Sequence, residues 1–219
     1  PLSFSLIAGA ALRAGGKAHA QFNLKRMGIG GGGNAATAAA PSSGGVTQLL
    51  QSYVGANQQV LSGQSSLASA MGMSSAAGQA QQAAGLLSGG VPSAGTLSQV
   101  GSTQQSLSQT LTQAFSGGGA SSATPVNKQA FTDGLTSLGK GVSQYSSLQS
   151  GLGSVGQMNP SSLLQSGLNP QTAQAASYVA QSAPGQLQSL MSTLSAAVQF
   201  ASSHGITVPS IATGALKGM

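Results

Sequence analysis

The chain of 219 residues contains no cysteine, no tryptophan and a single acidic residue, Asp133. Without cysteine there is no disulfide framework and no thiolate metal site, and the redox compartment stays open. One carboxylate excludes catalysis by a carboxylate pair. A nucleophile triad would have to join Asp133 to His19 or His204, and no GxSxG sequence occurs. Two histidines and one aspartate, far apart in sequence, have no metal-ligand spacing. The expectation is a protein that is not an enzyme, with no metal, no cofactor and no small-molecule substrate.

Charge is scarce as well. Only 4% of the residues are charged, against about 25% in ordinary soluble domains. Ser, Gln, Thr and Gly fill the polar quota, so the surface must be neutral and rich in amides and hydroxyls. Copies of such a chain repel one another weakly, which points to a homo-oligomer or to burial in a larger assembly. The net charge of +6 is unevenly placed. Arg13, Lys17, Lys25 and Arg26 lie in the first 27 residues, leaving only Lys128, Lys140 and Lys217 beyond them. A conventional nucleic-acid-binding domain is not indicated, whereas a short basic arm touching phosphate of DNA or anionic lipid is.

Long apolar runs are missing too. No window reaches the roughly 18 apolar residues of a membrane span. Ala18-His19-Ala20 has the small-x-small form of a signal-peptidase site, but no basic region precedes residues 4–12, and Arg13 and Lys17 interrupt the apolar stretch. A signal peptide is therefore not expected. A chain beginning at Pro1 is what trimming of an initiator Met leaves, which suits cytoplasmic synthesis.

Strand signals are poor, and what remains is helical periodicity. Residues 1–27 favour helix by their Ala and Leu content, with small residues at Ala10/Ala14, Ala11/Gly15 and Gly16/Ala20 that would let another helix or lipid approach closely. Residues 28–45 read as a Gly/Ala-rich linker. A helical region over 46–115 carries Val46, Leu49, Leu50, Tyr53, Val54, Val60, Leu61, Leu67 and Met71, weakens without ending, and breaks at Gly89-Gly90-Val91-Pro92. Its second stripe is Leu97, Val100, Leu107, Leu111 and Phe115, with Gln104 and Ala114 between them. After a linker at 116–125, a second helical region spans 126–205.

The clearest seam lies there: Phe131, Leu135, Leu138, Val142 and Tyr145, continued by Leu148, Leu152 and Val155, at heptad-like steps. Gly134, Gly139, Gly141, Gly151 and Gly153 interrupt it, each costing about 1 kcal/mol of helix propensity relative to Ala, so this helix cannot stand alone. Asn159-Pro160 and Asn169-Pro170 read as N-cap followed by first helical residue. Ser182 and Pro184 mark the start of a last long helix closing at His204-Gly205, with His204 placed to meet the helix dipole. Residues 206–219 form a short tail. The fold class expected is mainly α: several amphipathic helices with Gly-rich joints, packed as a bundle or coiled coil within an oligomeric assembly.

Glycine patterns elsewhere carry no chemistry. Gly28, Gly30 and Gly33 match GxGxxG, as do Gly151, Gly153 and Gly156, yet neither set follows a strand or has an acid about 20 residues on. Gly134 to Gly139-Lys140 approaches a phosphate-binding loop, but Gly141 stands where Ser or Thr is required.

The small apolar N-terminus, the passage Ala20-Gln21-Phe22-Asn23-Leu24-Lys25-Arg26 and the Gln/Ser/Ala-rich helices after it resemble the internal virion or DNA-pilot proteins of bacteriophages. The resemblance is carried by residues 1–27 and, beyond them, by composition. It implies a virion protein, made in the host cytoplasm and packaged in the capsid or neck, that assembles with copies of itself and other virion proteins to pass the genome through the host envelope. Phe4, Leu6, Ile7 and Leu12 would then contact membrane or a partner helix. Arg13, Lys17, Lys25 and Arg26 would contact DNA without sequence preference, or lipid phosphate. Two alternatives share the composition: the chain is also similar to harpin-like, membrane-active proteins exported by type III secretion, and a purely structural virion or filament subunit would look much the same.

Overall fold

A computed structural model describes residues 43–117 and 125–218, and all statements below concern these residues. The predicted N-terminal helix, nearly all of the 28–45 linker, and the membrane-contact and phosphate-contact residues of 1–27 lie outside them. The fold is mainly α: α1 (Ser43–Ala70), α2 (Ser74–Leu86), α3 (Ala94–Ser116), α4 (Lys128–Gly156), α5 (Pro160–Gln165), α6 (Pro170–Ser203) and α7 (Ser210–Lys217), with no strand among the described residues.

The helix ends follow from local chemistry. Ser93, Asn127 and Asn169 accept hydrogen bonds from the backbone N–H of Thr96, Ala130 and Thr172, each filling a donor that the first turn leaves open. Asn159 occupies the same position before α5, with Pro160 as first helical residue, but its side chain makes no cap bond. At the end of α1, Gly72 adopts φ +76°, and Met73 N–H reaches back to Ala68 O at 2.8 Å. Gly205 ends α6 in the same way, at φ +62°, with Ile206 N–H on Ala201 O at 2.8 Å. Both are six-to-one closures that need a left-handed residue, which glycine adopts without steric cost.

α1 and α4 are the central pair and run antiparallel: Leu49 lies against Gly151, Val60 against Gly141, and Leu67 against Gly134. A Cβ on Gly63 would sit 2.6 Å from Leu138 N and 2.9 Å from Gly134 O. One on Gly141 would sit 3.0 Å from Val60 N, and one on Gly134 2.9 Å from Leu67 N. The backbones thus touch, and side chains at these three positions would hold them apart. On the other side of α4, Gly139 admits α7, since its Cβ would lie 2.9 Å from Ala212 Cα. Gly134, Gly139 and Gly141, which weaken α4 as an isolated helix, form the contact surface that fixes it in the bundle, whereas Gly153 is exposed and touches nothing. Helix α3 packs on α6, α2 on α1 and α3, and α5 and α7 on α6.

Four sequence-based expectations are corrected. The first helical stretch does not run on past Met71 but stops at Gly72 and restarts as α2. Pro184 starts no helix: it lies inside α6, exposed, while Ala176, Val179, Ala183 and Leu187 are buried on both sides of it. That continuous burial outweighs the one backbone bond proline removes. The residues after Gly205 are not a plain tail, because Ala212 and Ala215 bury the face of α7. The chain is also helical from Ser43, three residues inside the predicted linker.

Aromatic side chains sort by type. Phe115, Phe131 and Phe200 meet at one end of α3, α4 and α6, with ring centroids 5.4 to 5.6 Å apart, and His204 stacks on Phe200 at 3.9 Å. His204 is the residue that closes α6, with Nδ1 2.9 Å from Phe200 O. The tyrosines gather elsewhere, around the polar groups described next.

Candidate functional site

The buried face of α1 steps 46, 50, 53, 57, 60, 64, 67, 71, alternating four and three, and two of these positions hold Asn57 and Gln64. The face of α3 steps 97, 100, 104, 107, 111 and holds Gln104. All three amides are at most 2% exposed. A buried amide must find partners or lose the full desolvation energy of its N–H and C=O groups, and here they find one another.

Asn57 Oδ1 accepts from Gln104 Nε2 at 2.5 Å and from the Tyr145 hydroxyl at 2.8 Å, while Asn57 Nδ2 donates to Tyr53 O at 2.9 Å. Gln64 Nε2 donates to Ser108 Oγ at 2.9 Å and to Gln104 O at 3.3 Å. From α6, Gln186 reaches across so that its Oε1 accepts from the Tyr53 hydroxyl at 2.6 Å and lies 3.0 Å from that of Tyr145. The two phenol rings meet edge to face at 5.3 Å. Gln186 passes over Gly101 of α3, where a Cβ would stand 2.7 Å from Gln186 Nε2 and 3.0 Å from Tyr178 Oη. One network therefore joins α1, α3, α4 and α6, and because its bonds are directional it fixes their register where apolar contacts alone would allow sliding.

Burial sets the electrostatics. The Tyr145 phenol is pushed well above the ordinary value of 10.0, first by desolvation and then by the neighbouring Tyr53. The Tyr53 phenol is raised by desolvation, partly offset by the polar side chains of Tyr145, Asn57 and Gln186 around it. Both hydroxyls stay protonated at neutral pH and act as donors.

Outward of the network lies a cleft of about 270 Å³ between α3 and α6, lined by Gly101, Gln104, Ser108, Tyr178, Ser182 and Gln186, among others. Gln104 Oε1 and Gln64 Oε1 are buried acceptors without a partner, and Gln104 belongs to the cleft wall. Among the described residues no group of three or more His, Cys, Asp or Glu could hold a metal ion, and no helix is long and apolar enough to cross a membrane.

The residues predicted to pack the seam, Phe131, Leu135, Leu138, Val142 and Tyr145, are fully buried on α4. Of these, Tyr145 belongs to the polar network. No family model, curated protein or solved structure matches the chain.

Asn57, Gln64 and Gln186 were missed by sequence reasoning. For the first two a signal existed: continuing the alternating four and three steps of α1 through its apolar positions lands on Asn57 and Gln64. Polar residues on such a seam specify register. Nothing comparable marks Gln186, which is one glutamine among many on α6.

Proposed function

We propose that this chain is a non-enzymatic structural protein of a bacteriophage virion, housed in the capsid or neck, that assists delivery of the genome across the host envelope. The observation that carries this reading is how charge is divided along the chain. Four of the seven basic residues precede residue 28, whereas from 43 onward there are only Lys128, Lys140, Lys217 and Asp133. The bundle consumes its apolar seams internally, so the faces left outward are neutral. On α3, for example, Ser98, Gln105, Gln109, Thr110 and Gln113 are exposed.

Amides and hydroxyls of this kind bond to water and to a passing polyanion without the lysines and arginines that would hold it through counterion release. They also let copies of the chain and other virion proteins lie side by side without charge repulsion. In this reading Arg13, Lys17, Lys25 and Arg26 touch DNA or lipid phosphate, and Phe4, Leu6, Ile7 and Leu12 touch membrane or a partner helix. Mass spectrometry of purified particles tests the assignment: the chain is expected among the virion proteins. Its absence there, together with its accumulation in culture medium through a type III secretion apparatus, would replace this reading with the harpin-like one.

A further inference from the structure

We propose that α3 is a detachable flap: it lifts from α1 and α6 while α1, α2, α4 and α6 keep their places, so the bundle opens at one helix without unfolding. The inference is independent of the virion assignment. The polar contact between α3 and α1 is short of donors. Gln64 and Gln104 are at most 2% exposed, their Nε2 groups are committed to Ser108 Oγ, Gln104 O and Asn57 Oδ1, and neither Oε1 accepts from any group. Turning the amides over does not help. Reversing Gln104 sets its oxygen against Asn57 Oδ1, and reversing Asn57 as well sets that oxygen against Tyr53 O. Reversing Gln64 sets its oxygen against Gln104 O. Two buried carbonyls therefore lack a donor whenever α3 is closed, and lifting α3 gives both to water.

The remaining contacts of α3 allow the motion. Toward α6 it borders the cleft, and among the described residues no hydrogen bond joins the two helices. What holds α3 closed is its apolar seam of Leu97, Val100, Leu107, Leu111 and Phe115, which is not directional. By contrast α2 is tied to α1: Ser65 Oγ donates to Ala77 O, Gln81 Nε2 to Ser65 Oγ and Gln58 Nε2 to Leu87 O, each at 3.3 Å. Between α2 and α3 lies the joint of residues 87–93, where Gly90 has φ +103° and a Cβ on Gly89 or Gly90 would meet nothing within 4 Å. Such a joint rotates with little hindrance. The α1 and α4 backbones, in contact at Gly63 and Gly141, have no such freedom.

Hydrogen exchange of the full chain, read by mass spectrometry on peptides from α3 and α4, tests the flap. Amides in the middle of α3 are expected to exchange at least about tenfold faster than those in the middle of α4. Their exchange should also respond less to low urea concentrations, because opening one helix exposes less surface than unfolding does. Gln64→Leu removes one of the two carbonyls that lack a donor, and should slow exchange in α3 about tenfold. Should circular dichroism show that this variant fails to fold, Gln104→Met decides by the same criterion: it removes the other carbonyl and leaves Asn57 Oδ1 its bond from Tyr145. Equal protection of α3 and α4, or exchange that the folded variant does not slow, overturns the proposal. A water molecule sealed inside the closed bundle as the missing donor would produce the second of these results.

Discussion

Replacing Gly63 by alanine tests the reason for glycine in the central helix pair, and Gly55 in the same helix is its control. A methyl group at 63 meets Leu138 N at 2.6 Å and Gly134 O at 2.9 Å, both backbone atoms of α4, which cannot rotate away. At 55 nothing lies within 4 Å. Each substitution gains about 0.5–1 kcal/mol from reduced backbone entropy in the unfolded chain and better helix propensity. At 63 that gain is opposed by overpacking, which costs about 1–3 kcal/mol in a well-packed interior, and rigid backbone contacts place it toward the upper end.

Gly55→Ala should therefore stabilise the protein by about 0.5–1 kcal/mol, and Gly63→Ala should destabilise it by about 1–2 kcal/mol. For a chain of this size 1 kcal/mol moves the melting point by about 2–4 °C, so the two variants should separate by roughly 5–10 °C. Urea denaturation and thermal melts followed by circular dichroism measure the difference. If Gly63→Ala is as stable as Gly55→Ala, the close approach of α1 and α4 is wrong.

The same logic distinguishes α4 from its neighbour: Gly139→Ala pushes on Ala212 Cα and should speed hydrogen exchange in α7 well before the rest of the bundle opens. Removing the Phe131 ring, fully buried between Phe115 and Phe200, should cost about 3–5 kcal/mol by urea denaturation. Gln186→Leu leaves the Tyr53 hydroxyl without its acceptor and should cost about 1–3 kcal/mol, more than Gln188→Leu on the exposed side of α6. Stability should also fall with alkali. The unfolded chain releases phenol protons near pH 10, whereas Tyr53 and Tyr145 hold theirs to higher pH when folded. Between those values the folded state binds more protons, so the slope of unfolding free energy against pH is negative. The stability from these two groups is complete below pH 10 and declines above it. Tyr145→Phe should flatten that decline, measured by urea denaturation at several pH values.

Much of the fold could be read from the chain because it rests on local signals. The Asn-Pro pairs stand at the starts of α5 and α6, and the seam from Phe131 to Val155 lies along α4. The sequence was least informative where tertiary contact reverses a local rule. Glycines 134, 139 and 141 count against a helix in isolation, and only the approach of α1 and α7 turns them into its packing surface. Pro184 reads as a helix start until the burial of Val179 and Leu187 on either side of it is known. The polar site was half legible, since Asn57, Gln64 and Gln104 fall on heptad positions. Gln186 became visible only once α6 was laid across Gly101.

The proposed role in genome delivery requires that the protein belong to the particle and leave it together with the genome. Quantitative mass spectrometry of purified virions before and after triggered ejection measures both. A fixed number of copies in full particles and their loss from emptied ones is the expected result. Retention of every copy after genome release would contradict a role in delivery and leave a purely structural subunit.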